Sequence, residues 1–247
     1  MLITSINNEH IKDIIKLKDK KYRDNTDTFL VEGRHLVLEA YKKGYIEELI
    51  LEQDELFPLN VNTLYVSSPI IKKISDMKSP SNVMAVVKKI EEKPIGEKIL
   101  ILDDIQDPGN LGTIIRSAVA FNFDTIVLSP KTVDLYNPKV VRSTQGMLFH
   151  INIIEREVVS FTKYLKNDSY KIVGTKVTNG KDVRESKTFS HFALIIGNEG
   201  QGMCEELEEL CDEYLYIKMN DECESLNASV AASILMYEIS NKWNTYV

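Results

Sequence analysis

The apolar residues in the first 90 positions follow both helical and strand-like spacing. Ile11, Ile14 and Leu17 recur at intervals of three residues, which predicts an amphipathic helix. Further helices are predicted at 36–41 and 70–74, and strands at 29–31, 49–51, 64–66 and 83–87. This part of the chain is therefore predicted to form a small α/β unit.

Beyond position 98 the apolar residues form short continuous runs instead. These runs lie at 99–102, 126–128, 151–154, 172–173 and 193–196, and a further strand is predicted at 215–217. A continuous apolar run is typical of a strand buried on both faces, and strands that alternate with helices indicate a parallel sheet covered by helices. We expect ligand-binding loops at the carboxyl ends of these strands.

The charged segment KKIEEKPIGEK at 88–98 separates the two patterns. It contains Pro94 and Gly96 and offers few residues to bury, which indicates a domain boundary. The predicted organisation is an N-terminal domain at 1–90, a linker at 91–98 and a second α/β domain at 99–247.

Composition excludes several classes of protein. Of the 247 residues, 43% are hydrophobic and 27% charged, which excludes a disordered or collagen-like chain. No apolar run approaches the roughly 20 residues that span a bilayer, and the N-terminus lacks the pattern of a secretory signal, so we expect a cytoplasmic protein. The spacing of Cys204, Cys211 and Cys223 is not that of a zinc site, so we expect reduced cysteines and no metal.

The net charge of −7 is unevenly distributed. Residues 203–224 hold nine acidic residues and one basic residue, a balance of −8, whereas residues 10–23 hold six basic and two acidic residues, a balance of +4. The basic residues considered for RNA binding there are Lys12, Lys16, Lys20, Lys21 and Arg23. A single basic helix is predicted over 12–23, which can bind RNA phosphates or form a solvated amphipathic face, and the charge pattern leaves both interpretations open.

Two loops with candidate chemistry follow predicted strands of the second domain. The segment DPGNLG at 107–112 opens a helix that carries Arg116, and Asn110 is the expected N-cap. The segment GNEGQG at 197–202 contains three glycines, which let backbone N–H groups approach a ligand closely. It is neither a P-loop, because Met203 stands where lysine is required, nor a dinucleotide fingerprint.

A third loop, ESLNASVAA at 224–232, precedes the last predicted helix. Together, NLGTIIR at 110–116, IIGNEGQGM at 195–203 and this third segment resemble the motifs of the SpoU (TrmH-type) RNA ribose 2′-O-methyltransferases of the SPOUT superfamily. NPKVVRSTQGMLF at 137–149 is similar to an intervening helix of that family. FLVEGRHLVLEA at 29–40 resembles its RNA substrate-binding domain. Lys218, Asp221 and Glu222 depart from the family pattern of Pro and Gly before the third motif.

The resemblance implies an α/β fold with a deep trefoil knot in the catalytic domain. It also implies S-adenosyl-L-methionine (AdoMet) as methyl donor, a ribose 2′-hydroxyl as acceptor, no metal, and a homodimer that forms through the catalytic domain and its last helix. The implied cofactor-binding residues are Thr175, Gly197, Ile217 and Leu226. Ribosomal RNA is favoured over transfer RNA as substrate. A transfer-RNA methyltransferase and a non-catalytic RNA-binding or ribosome-assembly protein on the same fold are the alternatives.

The same resemblance directs attention to Arg116 as the principal catalytic residue. Because a guanidinium stays protonated, Arg116 is expected to bind the acceptor phosphate and to stabilise the developing alkoxide rather than to act as a base. The supporting residues are Asn110, Glu199, Ser225 and Asn227, and Glu199 is a candidate to orient Arg116. Arg142, together with Lys131 and Lys139, is a further candidate for RNA binding.

Overall fold

The structure is a computed structural model that describes residues 2–177, 180–187 and 189–243, without the side chains of residues 242 and 243. The strands are β1 (Leu2–Ile3), β2 (Thr28–Glu32), β3 (Ile46–Glu52), β4 (Thr63–Val66), β5 (Val83–Lys88), β6 (Lys98–Leu102), β7 (Thr125–Leu128), β8 (Asn152–Glu155), β9 (Lys171–Thr175), β10 (Lys181–Asp182), β11 (Phe192–Ile196) and β12 (Glu213–Tyr216). The α-helices are α1 (Glu9–Lys16), α2 (Lys20–Thr26), α3 (Arg34–Lys42), α4 (Ser68–Ile74), α5 (Pro108–Ala120), α6 (Pro138–Ser143), α7 (Val158–Asn167), α8 (Glu205–Glu208) and α9 (Ala228–Trp243).

These elements form two compact units. Unit 1 contains the residues up to Glu91 together with Asp134–Phe149, and unit 2 contains Glu92–Val133 together with the residues from His150 onward. The ranges proposed from the sequence assign residues 134–149 to the second domain, whereas the structure groups them with unit 1.

Unit 1 is built on a five-stranded mixed sheet of order β1-β4-β3-β5-β2. Strand β5 runs antiparallel to its neighbours β3 and β2, and the other pairs are parallel. One buried cluster joins α1 and α4 to the sheet through Ile11, Ile70, Ile50 and Met84. The apolar spacing of α1 therefore produces the buried helix face that the sequence predicts.

The basic segment at 10–23 is two helices rather than one. Asn8 caps α1 by accepting hydrogen bonds from the backbone N–H groups of residues 10 and 11, and the helix ends at Lys16. Asp19 caps α2 by accepting from the N–H of Tyr22. The prediction of a single basic helix over this segment is therefore wrong, because α1 ends before Asp19 and a second helix begins there.

Residues 134–149 belong to unit 1 through aromatic and backbone packing. Helix α6 begins after the N-cap Asn137 and contacts β2. The ring of Phe149 stacks on Phe29 and Tyr45, with centroids 6.3 Å and 5.6 Å apart. Gly146 has φ +85°, and a Cβ there would lie 2.8 Å from the Cβ of Glu39, so the chain approaches α3 as closely as glycine allows.

Unit 2 contains a seven-stranded, fully parallel sheet of order β10-β12-β9-β11-β6-β7-β8. Ile99 and Ile101 belong to the core cluster that includes residues of α7 and α8. Leu100 and Leu102 alternate with them on the other face and are also fully buried. The predicted parallel sheet covered on both faces is confirmed. The short edge strands β1 and β10 have no counterpart among the elements predicted from the sequence.

Candidate functional site

The first two candidate loops begin side by side at the carboxyl edge of the unit 2 sheet. Strands β6 and β11 are parallel neighbours, and their last residues, Leu102 and Ile196, are paired in register. The backbone N–H of Asp103 donates to the carbonyl of Ile196 at 2.9 Å, and the N–H of Cys204 donates to the Asp103 carboxylate at 2.9 Å. The sheet register therefore brings the two loops together across about 90 positions of sequence.

Glu199, in the second loop, binds donors from the first loop. Its Oε1 accepts from the Asn110 side-chain amide at 2.9 Å, and its carboxylate also accepts from the backbone N–H groups of Gln106 and Asp107, each at 3.4 Å. Partial burial raises the pKa of Glu199, but the Asn110 amide and these backbone donors outweigh it and hold the pKa below its ordinary value. Glu199 is therefore an anion at neutral pH.

Asn110 is not the N-cap of α5, so that prediction is wrong. The cap is Asp107, whose Oδ1 accepts from the backbone N–H of Asn110 at 2.8 Å. The Asn110 side chain is buried, with 8% exposure, and besides donating to Glu199 it accepts from the Asn227 amide at 2.9 Å. Because Asn110 does not cap α5, its side chain can bind both Glu199 in the second loop and Asn227 in the third.

Asn227 combines helix capping with this connection. Its Oδ1 accepts from the backbone N–H and the hydroxyl of Ser229, at 2.9 Å and 2.7 Å, at the start of α9. Its Nδ2 donates to the side-chain oxygen of Asn110. Ser225 lies two residues earlier and is exposed at the surface of the loop. Of the five predicted catalytic residues, the structure joins three in one hydrogen-bonded chain, which runs from Glu199 through Asn110 to Asn227.

The glycine-rich loop is closed by its own backbone. The N–H groups of Asn198 and Gly202 donate to each other's carbonyl oxygens at 2.9 Å and 3.0 Å, and the Asn198 side chain accepts from the N–H of Gly200 at 2.8 Å. A Cβ on Gly197 would lie 2.3 Å from the backbone of Gly202 and Met203. The loop therefore requires glycine at 197 for its own geometry. Asn198 organises this turn and was not among the residues predicted from the sequence. An asparagine at the start of a glycine-rich turn commonly accepts from backbone N–H groups two or three residues later, and this pattern could have identified it.

A cleft of about 700 Å³ opens beside these loops. All four predicted cofactor residues line it: Thr175, Gly197, Ile217 and Leu226. The Thr175 hydroxyl donates to the carbonyl of Ile195 at 2.9 Å, so it is already engaged within the sheet. The apolar side chains of Leu215 and Leu235 also line the cleft, as does Ser225.

Arg116 lies apart from the hydrogen-bonded chain. It follows Asn110 by six residues on α5, a rotation of roughly 240° around the helix axis that places it on a different side. Its side chain is exposed, and it makes no hydrogen bond or ion pair with any residue that the structure describes. Glu199 binds Asn110 rather than Arg116, so the suggested orientation of Arg116 by Glu199 is wrong within this chain.

The predicted RNA-binding residues of unit 1 separate into exposed lysines and one buried arginine. The exposed residues are Lys12, Lys16, Lys20 and Lys21. Arg23 is only 4% exposed and donates to the carbonyls of Leu17 and Lys18, at 2.7 Å and 2.8 Å, and to Asp134 at 2.6 Å. Its interpretation as a phosphate ligand is therefore wrong, because its guanidinium ties the end of α1 to residue 134. Arg142 is half-buried in the same unit.

Comparison with known proteins gives the family. The model of the SpoU rRNA Methylase family matches residues 97–237, and that of the MRM3-like substrate binding domain matches residues 8–85. The chain belongs to the SpoU rRNA methylase family. A curated relative, the 23S rRNA (guanosine(2553)-2′-O)-methyltransferase RlmP of Bacillus subtilis, is 40% identical over 243 residues, covering 96% of this chain and 98% of the relative.

Solved structures of related proteins match nearly the full length of this SpoU family member. The AdoMet-bound rRNA methyltransferase of Sinorhizobium meliloti is 28% identical, with a TM-score of 0.86 over 98% of this chain and 97% of the other. An RNA 2′-O ribose methyltransferase is 27% identical, with a TM-score of 0.85 over 99% and 100%. The predicted family, the methyltransferase class and the α/β fold with an N-terminal substrate-binding domain are therefore confirmed.

Two further properties concern only the described part of the chain. Within it, no helix is long and apolar enough to cross a membrane. The same residues contain no group of three or more His, Cys, Asp or Glu side chains placed to hold a metal ion.

Proposed function

We propose that this protein methylates the ribose 2′-hydroxyl of a guanosine in large-subunit ribosomal RNA, with AdoMet as methyl donor. The observation that carries the proposal is the hydrogen-bonded chain Glu199–Asn110–Asn227, which joins all three SpoU motifs beside the 700 Å³ cleft. The choice of RNA and nucleotide is supported by the relative from Bacillus subtilis, whose name specifies a guanosine 2′-hydroxyl of 23S rRNA.

The cleft suits AdoMet in size and lining. Its volume lies within the range of about 300–1,000 Å³ that small-molecule sites occupy. Gly197 brings loop backbone to its edge without a side chain, while Ile217 and Leu226 offer apolar surface and backbone polar groups to an adenosine. Together with Thr175, these residues would hold the cofactor, whose sulfonium supplies an electrophilic methyl group.

The reaction forms the bond between the ribose oxygen and the methyl carbon as the carbon–sulfur bond breaks, and it releases the hydroxyl proton. Arg116 binds the acceptor phosphate and stabilises negative charge on the ribose oxygen, because its exposed guanidinium has no partner among the described residues. Glu199, Asn110 and Asn227 fix the loops that shape the site. A carboxylate whose pKa is lowered is a weak base, so Glu199 acts by positioning. Ser225, exposed at the cleft, contacts the acceptor nucleotide.

RNA outside the site binds to unit 1. We assign phosphate contacts to Lys12, Lys16, Lys20, Lys21 and Arg142. Lys12 and Lys16 form ion pairs within α1 to Glu9 and Asp13, at 2.8 Å and 2.9 Å, and such exposed pairs exchange readily for a phosphate. The lysines of α2 are exposed and form no ion pair with any described residue.

The active form is a homodimer in which Arg116 of one subunit serves the cleft of the other. Support comes from α9, where Val230 and Tyr237 are 46% and 49% exposed beside small Ala and Ser residues that allow close helix packing. The trefoil knot and the cytoplasmic location expected from the sequence belong to the same proposal. Light scattering that finds an active monomer would contradict the dimer.

The decisive experiment is incubation with labelled AdoMet and three separate RNAs: a 23S rRNA transcript, a 16S rRNA transcript and a transfer-RNA pool. We expect label in the 23S transcript alone, at a guanosine 2′-O-methyl group, and none with the variant Arg116→Ala. Label confined to transfer RNA would replace the proposed substrate with that of a transfer-RNA methyltransferase. An RNA-binding protein that labels no RNA would be a non-catalytic member of the family.

A further inference from the structure

An ion pair that the sequence motifs do not include stands on the wall of the cleft. Lys176 follows β9 and Glu208 ends α8, and the Nζ of Lys176 lies 2.9 Å from the Oε2 of Glu208. The ammonium also lies 4.2 Å from the centroid of the Tyr214 ring. The side chains of Lys176 and Glu208 are 32% and 37% exposed, so the pair is held in place yet accessible from the cleft.

The backbone around this pair restricts its position. The N–H of Lys176 donates to the carbonyl of Leu215 at 3.0 Å, which extends the β9–β12 pairing by one residue. The Tyr214 hydroxyl donates to the carbonyl of Glu208, at the end of α8. A Cβ on Gly174 would lie 2.8 Å from the Tyr214 ring, so that ring is packed directly against β9. β9, α8 and β12 therefore together hold the Lys176 ammonium and the Glu208 carboxylate in place.

Few charged groups are available in the cleft. The charged side chains among its described lining residues are those of Lys176, Glu199 and Glu208. Glu199 is committed to Asn110 and to two backbone N–H groups. Lys176 is therefore the one cation that the described lining offers, and Glu208 is the one carboxylate not engaged by the loop network.

We propose that Lys176 and Glu208 bind the amino-acid end of the cofactor, with Lys176 on its carboxylate and Glu208 on its α-ammonium. This inference rests on the proposed function, because it assumes that AdoMet occupies the cleft. Lys176 has three N–H donors and uses one on Glu208, so it can bind a second carboxylate without losing the first. The opposite charges of the pair match the carboxylate and the ammonium of the amino-acid end of AdoMet. The adenosine part of the ligand is neutral and has no charged group for the pair to bind.

Calorimetric titration with two ligands tests the assignment. S-adenosylhomocysteine carries the amino-acid end, and 5′-methylthioadenosine lacks it. The variants are Lys176→Met, which removes the charge, Lys176→Arg, which keeps it, and Lys163→Met as a matched control on an exposed position of α7. We expect Lys176→Met to weaken S-adenosylhomocysteine about tenfold or more while leaving 5′-methylthioadenosine within about twofold of the parent protein. Lys176→Arg retains most of the affinity for both ligands.

The two ligands separate a binding role from a structural one. Retained binding of 5′-methylthioadenosine shows that Lys176→Met is folded with an intact adenosine site. If both ligands weaken in parallel, or neither does, Lys176 does not bind the amino-acid end and the inference is overturned, while the proposed methyl donor stands. If the parent protein binds neither ligand, the proposed cofactor fails and this inference fails with it.

Discussion

The side-chain amide of Asn227 donates a hydrogen bond of 2.9 Å to the side-chain oxygen of Asn110, across 117 positions of sequence. Each residue stands at the beginning of a helix, Asn110 in the first turn of α5 and Asn227 before α9. Because Asn110 also donates to Glu199, a small displacement of either helix start would be transmitted to the glycine-rich loop. This asparagine pair thus couples the geometry of the site to the packing of α5 and α9 in unit 2.

Two substitutions at Asn227 separate its capping role from its connecting role. Asn227→Ala removes both, and we expect it to lower the free energy of unfolding by about 1 kcal/mol and to reduce methyl transfer. Asn227→Asp keeps the oxygen that caps α9 but loses the donor to Asn110, so stability is largely preserved while methyl transfer falls. Urea unfolding and a methyl-transfer assay measure the two effects. Full turnover by Asn227→Asp would show that the link to Asn110 is dispensable.

Glu199 makes a contribution to stability that acid removes. Its folded-state pKa lies below the ordinary value of 4.5, so the contribution is present above pH 4.5 and is lost as the pH falls through the lowered folded pKa. The parent protein is therefore expected to be more stable than Glu199→Gln at pH 7, by less than about 1 kcal/mol since the side chain is partly exposed, and to lose that advantage at acidic pH. Urea titrations of both proteins at several pH values measure the difference. An advantage that grows on acidification would contradict the assignment.

Gly197 and Gly200 form a matched pair in one loop. A Cβ at 197 would lie 2.3 Å from backbone atoms of Gly202 and Met203, whereas one at 200 would meet only the Asn198 side chain at 3.7 Å. We expect Gly197→Ala to destabilise the protein by about 1–3 kcal/mol and to impair S-adenosylhomocysteine binding, and Gly200→Ala to change stability by less than about 0.5 kcal/mol. Thermal unfolding and calorimetry provide the readouts. Equal effects of the two substitutions would argue against the close approach.

Arg116→Ala is expected to abolish methyl transfer while leaving stability and S-adenosylhomocysteine binding near those of the parent protein. Its side chain is exposed, has no hydrogen-bond or ion-pair partner among the described residues and does not line the cleft. Arg156→Ala, which removes an exposed arginine paired with Glu92, is the control for loss of surface charge and keeps its activity. Substantial turnover by Arg116→Ala would remove it from the catalytic residues.

The basic residues of unit 1 are expected to fall into two functional groups. Lys20→Ala with Lys21→Ala leaves stability unchanged and makes the salt dependence of RNA binding shallower, by about one unit of slope for each lysine that binds a phosphate in the parent protein. Arg23→Ala instead costs about 3 kcal/mol of unfolding free energy, because Asp134 and two helix-end carbonyls lose their partner. Filter binding at several salt concentrations, combined with urea unfolding, separates the groups. An unchanged salt slope in the double lysine variant would place the RNA elsewhere.

The sequence was sufficient to predict the parallel sheet and the positions of the three loops. Apolar runs such as 99–102 and 193–196 specify buried strands, and parallel strands necessarily present their carboxyl ends at one edge. That rule places the loops of Asn110, Glu199 and Asn227 at one edge, whereas the contact between the first two loops also depends on the strand order, which places β6 beside β11. The capping of α5 by Asp107 was harder to predict, because Asp and Asn are nearly equivalent as N-caps and only the local backbone conformation decides between them.

Long-range pairing explains what the sequence could not indicate. Arg23 lies in a basic segment typical of an exposed face, and its burial depends on Asp134, which is 111 positions away. Lys176 and Glu208 belong to none of the sequence motifs. They become neighbours because β9, α8 and β12 lie together in the fold. Charge patterns along a chain describe composition, whereas the availability of each charge depends on partners that the fold supplies.

The interleaved connectivity of the two units has a consequence for synthesis. Residues 134–149, which complete unit 1, are made after Glu92–Val133, which begin unit 2. Phe149 cannot reach Phe29 until the ribosome has already synthesised β6 and β7, and at that point the strands that flank them in the sheet, β11 and β8, have not been made. The N-terminal unit is therefore completed only after part of unit 2 has been made, and exchanging it between proteins requires three junctions in the gene rather than one.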